Sequence, residues 1–141
     1  MLFRSNPNAN FSTNYTYNGP CNTATNGCAP YICGSAYSVG TGTQPCNPTW
    51  ISTGDHTTGT GNMLIVDFPN SGSIPFWCQT VTLLPNTNYC FSAYILNLLA
   101  AGNNQSLPQV SFYVNGSNIY TTPSVAEDAV WHNNEIGRAH V

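Results

Sequence analysis

The chain offers few side chains that could carry out acid–base, nucleophilic or metal chemistry. Only seven of its 141 residues are Asp, Glu, Lys or Arg. Between residues 5 and 126 the charged side chains are Asp55 and Asp67, and both lie in the stretch GDHTTGTGNMLIVD, residues 54–67. Because His56 directly follows Asp55, this stretch could hold an acid–base pair, a metal ligand, or a loop that leads into a strand.

The catalytic interpretation lacks partner residues. A glycosidase needs two carboxyl groups that flank the scissile bond, whereas Asp55 lies on a predicted loop and Asp67 near the end of a predicted strand. A Ser-His-Asp site would have to use His56, because the other two histidines lie in the last ten residues. The G-x-S-x-G pattern of a nucleophile elbow does not occur. The sequence therefore predicts that the protein is not an enzyme.

A calcium site at Asp55 is the more plausible chemistry. Calcium takes oxygen ligands from carboxylates and backbone carbonyls, and the Gly/Thr loop TTGTGN could turn its carbonyls inward beside Asp55. The EF-hand pattern is absent, so such a site would be irregular. Equally, Asp55 and the threonine hydroxyls could cap a turn. For Asp67 the favoured interpretation is a solvent-facing strand residue.

The overall composition excludes other classes of partner. The net charge is −3 and the chain contains no lysine, which argues against nucleic acid because phosphate contacts need Lys and Arg. No polybasic or amphipathic segment suits a membrane surface, and the longest apolar run, around residues 95–101, is too short to cross a bilayer. We therefore expect neither a nucleic-acid partner nor direct membrane insertion.

Six cysteines are many for a chain of this size. Their even number and the lack of a C-x-x-C pair favour disulfides in an oxidising compartment over reduced structural cysteines or a metal site. The first four are predicted to pair among themselves, which would leave the last two to pair with each other. This predicts an extracellular or cell-surface protein with the disulfide cysteines Cys21, Cys28, Cys33, Cys46, Cys78 and Cys90.

The hydrophobic pattern predicts strands rather than helices. Short apolar or alternating runs are separated by turn residues, and no segment keeps a 3.6-residue apolar period over helical length. Asn115-Gly116 is typical of a type I′ hairpin turn. We expect a single all-β domain, a two-sheet antiparallel sandwich, with Cys-rich loops and edge strands over 1–50 and its core over 51–126. The predicted strands are 63–68, 76–84, 88–96, 109–114 and 118–121.

Aromatic side chains are the candidate ligand-binding groups. Sugars stack on exposed rings while Asn, Gln and Asp fix their hydroxyls, so Trp50, Tyr31 and Tyr37 in the loop-rich half are predicted to bind a ligand. The alternative for each ring is packing under a loop. By strand periodicity, Trp77, Phe91 and Phe112 are predicted to lie in the core.

The last fifteen residues, 127–141, differ in composition from the rest. They hold three of the five acidic residues and one of the two arginines. The final EIGRAHV also resembles the in-frame translation of a sequencing-adapter oligonucleotide. We expect this segment to be non-native or disordered, and the chain to be a piece of a longer protein that supplies the last strand or strands, an export signal and further domains.

The opening stretch also carries a family resemblance. GDHTTGTGNMLIVD resembles the D-H-T-x-G-x-G-x-x-M-x-V-D signature of MAM-type adhesion domains, which belong to the galactose-binding-like jelly rolls. The segments FWCQTVTLLPNTNYCFSAYIL and PQVSFYVNG resemble relatives in secreted or surface proteins of gliding bacteria. The resemblance covers about residues 50–121.

The resemblance implies a two-sheet jelly roll that binds a glycan or another cell-surface ligand without catalysis. It also implies a structural calcium ion near the loop, with Asp55 at the position of the loop acid. The chain departs from the family after Tyr120, where no Asp-Asp-Ile-type final strand follows. The alternatives are a structural spacer in a surface protein and an accessory module of a catalytic domain outside this chain.

Overall fold

A computed structural model describes residues 11–21, 31–43, 46–69 and 74–140. These residues contain nine β-strands and no α-helix, and most strand pairs are antiparallel, which confirms the all-β prediction. The chain forms two compact units, Met1–Thr80 and Val81–Val141. The structure therefore divides the chain after Thr80, whereas the sequence pattern suggested changes at residues 50 and 126.

The described residues of the first unit form five strands in two sheets. A three-stranded sheet has the order β2-β3-β4, with a parallel β2–β3 pair and an antiparallel β3–β4 pair. A separate antiparallel pair joins β1 to β5. The strands are β1 (Phe11–Ser12), β2 (Thr16–Tyr17), β3 (Ala36–Gly40), β4 (Met63–Asp67) and β5 (Cys78–Gln79).

Strand β4 forms where the apolar run MLIVDF predicts it. Its first three residues are buried, and Ile65 lies opposite Ser38 in the neighbouring strand. The Ser38 hydroxyl is fully buried and donates a hydrogen bond of 2.8 Å to the carbonyl oxygen of Gly19. This bond offsets the cost of removing a hydroxyl from water, so a polar residue is tolerated in the core of the sheet.

The sequence pattern predicted that Asp67 would face the solvent, but the structure places it in a partly covered position. It lies opposite Ala36, on the same face of the sheet as Ile65, because residues two apart on a strand share a face. Its side chain is half-buried, and this burial raises the pKa of the carboxyl group above its ordinary value. The apolar pattern around Asp67 did not show which face would be covered.

The cysteines are only partly paired as expected. Cys21 and Cys46 form a disulfide, and both side chains are buried. Cys33 is also disulfide-bonded, while Cys28 lies outside the described residues.

Cys78 and Cys90 are free and exposed in the structure, and because they belong to different units their predicted pairing stays a prediction. Each is held in a strand opposite a different residue: Cys78 lies opposite Ser12, and Cys90 lies opposite Arg138.

The second unit contains two antiparallel strand pairs. The β7–β8 hairpin turns at Asn115 and Gly116, whose φ angles of 50° and 80° confirm the predicted turn. In β6 every second side chain from Tyr89 to Ile95 is the more buried one, as the alternation predicts. The strands are β6 (Asn88–Ile95), β7 (Ser111–Val114), β8 (Ser117–Thr121) and β9 (His132–His140).

Two segments depart from the expected strand pattern. Residues 132–140 form β9 and pair with the whole of β6, which differs from the disorder expected for this part of the tail. Their origin in an adapter sequence stays a prediction. The strand expected over 76–84 is limited to Cys78–Gln79, and the apolar residues after it, Val81 and Leu84, are exposed.

Candidate functional site

The carboxylate of Asp55 anchors the loop that follows it. The backbone N–H groups of Thr57 and Thr58 each donate to Oδ2 at 2.9 Å. The Thr58 hydroxyl donates to Oδ1 at 2.7 Å, and the backbone N–H of Gly61 donates to the same oxygen. A carboxylate has about four acceptor positions, so these donors fill the hydrogen-bonding capacity of Asp55.

These bonds also set the charge state of Asp55. The hydrogen bond from the Thr58 hydroxyl and those from the backbone lower the pKa of Asp55 well below its ordinary value, although burial of the side chain acts in the opposite direction. The side chain is 5% exposed. A buried, ionised carboxylate surrounded by N–H and O–H donors is a turn cap, the alternative that the sequence left open.

A cation at Asp55 would compete with those donors. Calcium would need lone pairs that already accept hydrogen bonds from the loop. In the described part of the chain, no three His, Cys, Asp or Glu side chains are grouped so that they could hold a metal ion. The geometry therefore supports the cap more directly than the calcium site.

The glycines of the loop are explained by its backbone geometry. A Cβ atom at Gly54 would lie 2.0 Å from the carbonyl oxygen of Gly59, so only glycine allows this close approach. Gly59 itself has a φ of 76°, and its N–H donates to the Asp55 carbonyl at 3.0 Å. The signature GDHTTGTG is therefore accounted for as a folded turn that leads into β4.

A second feature of the first unit is a continuous series of ring contacts, here called the aromatic row. Phe11 and Trp77 stack with centroids 4.1 Å apart and planes at 7°. Phe11 meets Tyr37 edge-on at 6.1 Å, and Tyr37 contacts Tyr17 at 5.2 Å. The Tyr17 side chain is 53% exposed and the other three are half-buried. The row therefore presents partly exposed ring surface.

Strand register explains how the aromatic row forms. Tyr17 and Tyr37 are direct partners in the β2–β3 pair, so both project from the same face. In the β1–β5 pair Phe11 lies opposite Gln79. Trp77 directly precedes β5, and its ring stacks on Phe11. Gln79 is exposed and, as the cross-strand partner of Phe11, lies on the same face of the β1–β5 pair as that ring.

Only one of the three aromatic residues proposed from the sequence lies in this row. Tyr37 belongs to it, and burial raises the pKa of its hydroxyl. Trp50 is 8% exposed, which favours the alternative of packing under a loop over ligand binding. Tyr31 is 41% exposed, but it has no ring contact with the aromatic row among the described residues.

The sequence pattern missed three members of the row. Trp77 was assigned to the core by alternation, yet it is half-buried and stacked on Phe11. Tyr17 and Phe11 come from strands of only two residues, which are too short to show a period. The segment NYTY, residues 14–17, contains Tyr17 and a second tyrosine, and it was the sequence signal available for this part of the row.

The chain matches no protein-family model, no curated protein and no solved structure. The resemblance to MAM-type domains therefore stays a prediction. Across the described ranges there is also no helix that is long and apolar enough to cross a membrane.

Proposed function

We propose that the chain is a non-catalytic, glycan-binding adhesion module of an extracellular or cell-surface protein, and that the aromatic row binds the glycan. The observation that carries the proposal is the row itself, with Tyr17 at its more exposed end. Sugar rings have apolar C–H faces and polar hydroxyl edges. An aromatic ring contacts such a face, and a neighbouring amide can hydrogen-bond the edge.

The remaining chemistry of the chain supports binding rather than catalysis. Of the two carboxylates in its body, Asp55 is occupied by its own loop, and Asp67 is half-buried on the face of Ile65. A glycosidase needs two carboxyl groups available to act on the bond, and the acceptor positions of Asp55 are already filled by its loop. The protein in this proposal recognises its ligand and leaves it unchanged.

The family and location form part of the same proposal. The antiparallel sheets are compatible with a sandwich, and we propose the MAM-like or galactose-binding-like jelly roll as its topology. The Cys21–Cys46 disulfide supports an oxidising, extracellular setting. The ligand would be a glycan or glycan-bearing cell surface, within a longer chain whose other domains have other roles.

Tyr17→Ala tests the proposal, with Tyr113→Ala as the matched control. Both tyrosines are more than half exposed, at 53% and 57%, and Tyr113 lies in the second unit. A glycan array first identifies a ligand, and calorimetric titration then measures its affinity. Loss of about 50 Å² of apolar contact removes roughly 1.3 kcal/mol, which is about a tenfold loss of affinity.

The outcomes separate the candidate functions. Weakened binding in Tyr17→Ala with unchanged binding in Tyr113→Ala supports the aromatic row. Equal affinities for both variants refute it as the binding surface. If the wild-type chain binds no glycan, the result favours the structural spacer or the accessory module.

A further inference from the structure

We infer that the aromatic row selects uncharged glycans and that Gln79 is a specificity-determining residue that hydrogen-bonds their hydroxyl groups. This inference rests on the proposed function. It adds the class of ligand and the polar group that orients it.

The position of Gln79 supports this role. It lies directly opposite Phe11 in the β1–β5 pair, and its side chain is exposed. Direct cross-strand partners have Cβ atoms about 4.5–5.5 Å apart on the same face. Gln79 is therefore the direct cross-strand neighbour of Phe11, and the Phe11 ring contacts the rings of both Trp77 and Tyr37.

The chemistry of the amide matches a sugar hydroxyl. A glutamine side chain has two N–H donors and an acceptor oxygen, and a hydroxyl group both donates and accepts. One amide can thus bind two neighbouring hydroxyls on a sugar edge while a ring contacts the sugar face. A carboxylate would supply acceptors only, and an alkyl side chain would supply neither.

The distribution of charge supports an uncharged ligand. Carboxylate and sulfate groups are bound most strongly by Arg and Lys, but the chain has no lysine, and its two arginines are Arg4 and Arg138. Neither belongs to the described residues of the first unit. Asp67 lies on the opposite face of the sheet from Tyr37, because it follows Val66, the direct partner of Tyr37. Among the described residues of the first unit, no arginine or lysine is therefore available to pair with an ionic ligand.

A proline-rich peptide is the principal competing occupant, because such peptides also bind aromatic-lined surfaces. We favour the glycan because Gln79, whose amide both donates and accepts hydrogen bonds, is the cross-strand partner of Phe11. The test therefore includes both ligand classes.

The experiment titrates the full chain with four probes: hydroxyethyl cellulose and a neutral galactan, polygalacturonate as an anionic glycan, and poly-L-proline. It compares the wild type with Gln79→Ala, and with Gln105→Ala as the matched control. Gln105 is an exposed glutamine of the second unit. Thermal unfolding of each variant checks that it remains folded.

We expect the wild type to bind at least one neutral polysaccharide more tightly than polygalacturonate. Gln79→Ala should weaken that binding about three- to tenfold, as expected for one or two lost hydrogen bonds, whereas Gln105→Ala should not change it.

Unchanged binding by Gln79→Ala, or equal affinity for polygalacturonate, overturns the inference. If Tyr17→Ala still loses affinity in that case, the proposed function stands. Preferential binding of poly-L-proline overturns both the inference and the glycan assignment.

Discussion

Replacing Gly54 with alanine is a direct test of the loop that Asp55 anchors. A Cβ atom at this position would lie 2.0 Å from the Gly59 carbonyl oxygen and 2.8 Å from the Gly59 carbonyl carbon. Both are backbone atoms, so rotation of a side chain cannot relieve the contact. The backbone of the turn has to move, and the 3.0 Å hydrogen bond from Gly59 N–H to the Asp55 carbonyl lies within that turn.

Gly59→Ala provides the matched comparison, because the same methyl group would meet nothing within 4 Å. Gly59→Ala should lower the free energy of unfolding because Gly59 has a φ of 76°. A left-handed conformation costs a residue other than glycine roughly 1–2 kcal/mol. For Gly54→Ala we expect a loss of about 3 kcal/mol or more, at the upper end of overpacking costs, because backbone atoms have to shift.

Urea unfolding monitored by tryptophan fluorescence measures both free energies. Two of the three tryptophans, Trp50 and Trp77, lie in the same unit as the loop. If Gly54→Ala is no more destabilising than Gly59→Ala, the close approach of Gly54 to Gly59 is refuted. The explanation of the glycine signature as a folding requirement then fails with it.

Substituting Asn for each of the two carboxylates should change the melting temperature at pH 7 in opposite directions. Burial raises the pKa of Asp67, so its stabilising contribution is complete below the ordinary Asp pKa of 3.8 and is lost as the pH rises through the raised value. Asp67→Asn should therefore raise the melting temperature at pH 7 but not at pH 3, and a lower value at pH 7 would contradict this. Hydrogen bonds lower the pKa of Asp55, so its contribution is present above pH 3.8 and is lost as the pH falls through the lowered value. Asp55→Asn should lower the melting temperature at pH 7, because an amide nitrogen cannot accept the bonds of a carboxylate oxygen. Calcium should leave the wild-type melting temperature unchanged, and a calcium-dependent rise that Asp55→Asn abolishes would instead establish a cation site.

Short sequence patterns correctly predicted those strands and turns whose formation depends mainly on residues close together in the chain. Strand β4 follows from a continuous apolar run, and the hairpin follows from the φ > 0 preference of Asn115-Gly116. In β6 the alternation from Tyr89 to Ile95 predicted which side chains would be the more buried ones. These features are encoded within ten residues of chain, so they could be read without knowledge of the tertiary fold.

Exposure of individual aromatic residues could not be predicted in the same way. Alternation shows that two residues share a face, but the covering of that face depends on distant parts of the chain. Trp50 is buried although it lies in a loop-rich segment, whereas Trp77 is half-buried although its strand alternates. The contact between Phe11 and Trp77 joins residues 66 positions apart, and no local spacing indicates it.

The contacts of Asp55 show that the Asp-His stretch forms a hydrogen-bonded turn. In a chain with two carboxylates between residues 5 and 126, one of them, Asp55, is used to hold a turn and the other, Asp67, lies half-buried in a sheet. Under the proposed function, recognition by the described residues of the first unit relies mainly on rings, amides and hydroxyls. Such groups suit a ligand that is itself neutral and rich in hydroxyls, and the proposed surface in this unit combines the aromatic row with Gln79, the cross-strand partner of Phe11. Because the Asp55 carboxylate is used by its own loop, we place the proposed binding surface at the aromatic row and not at the Asp-His stretch.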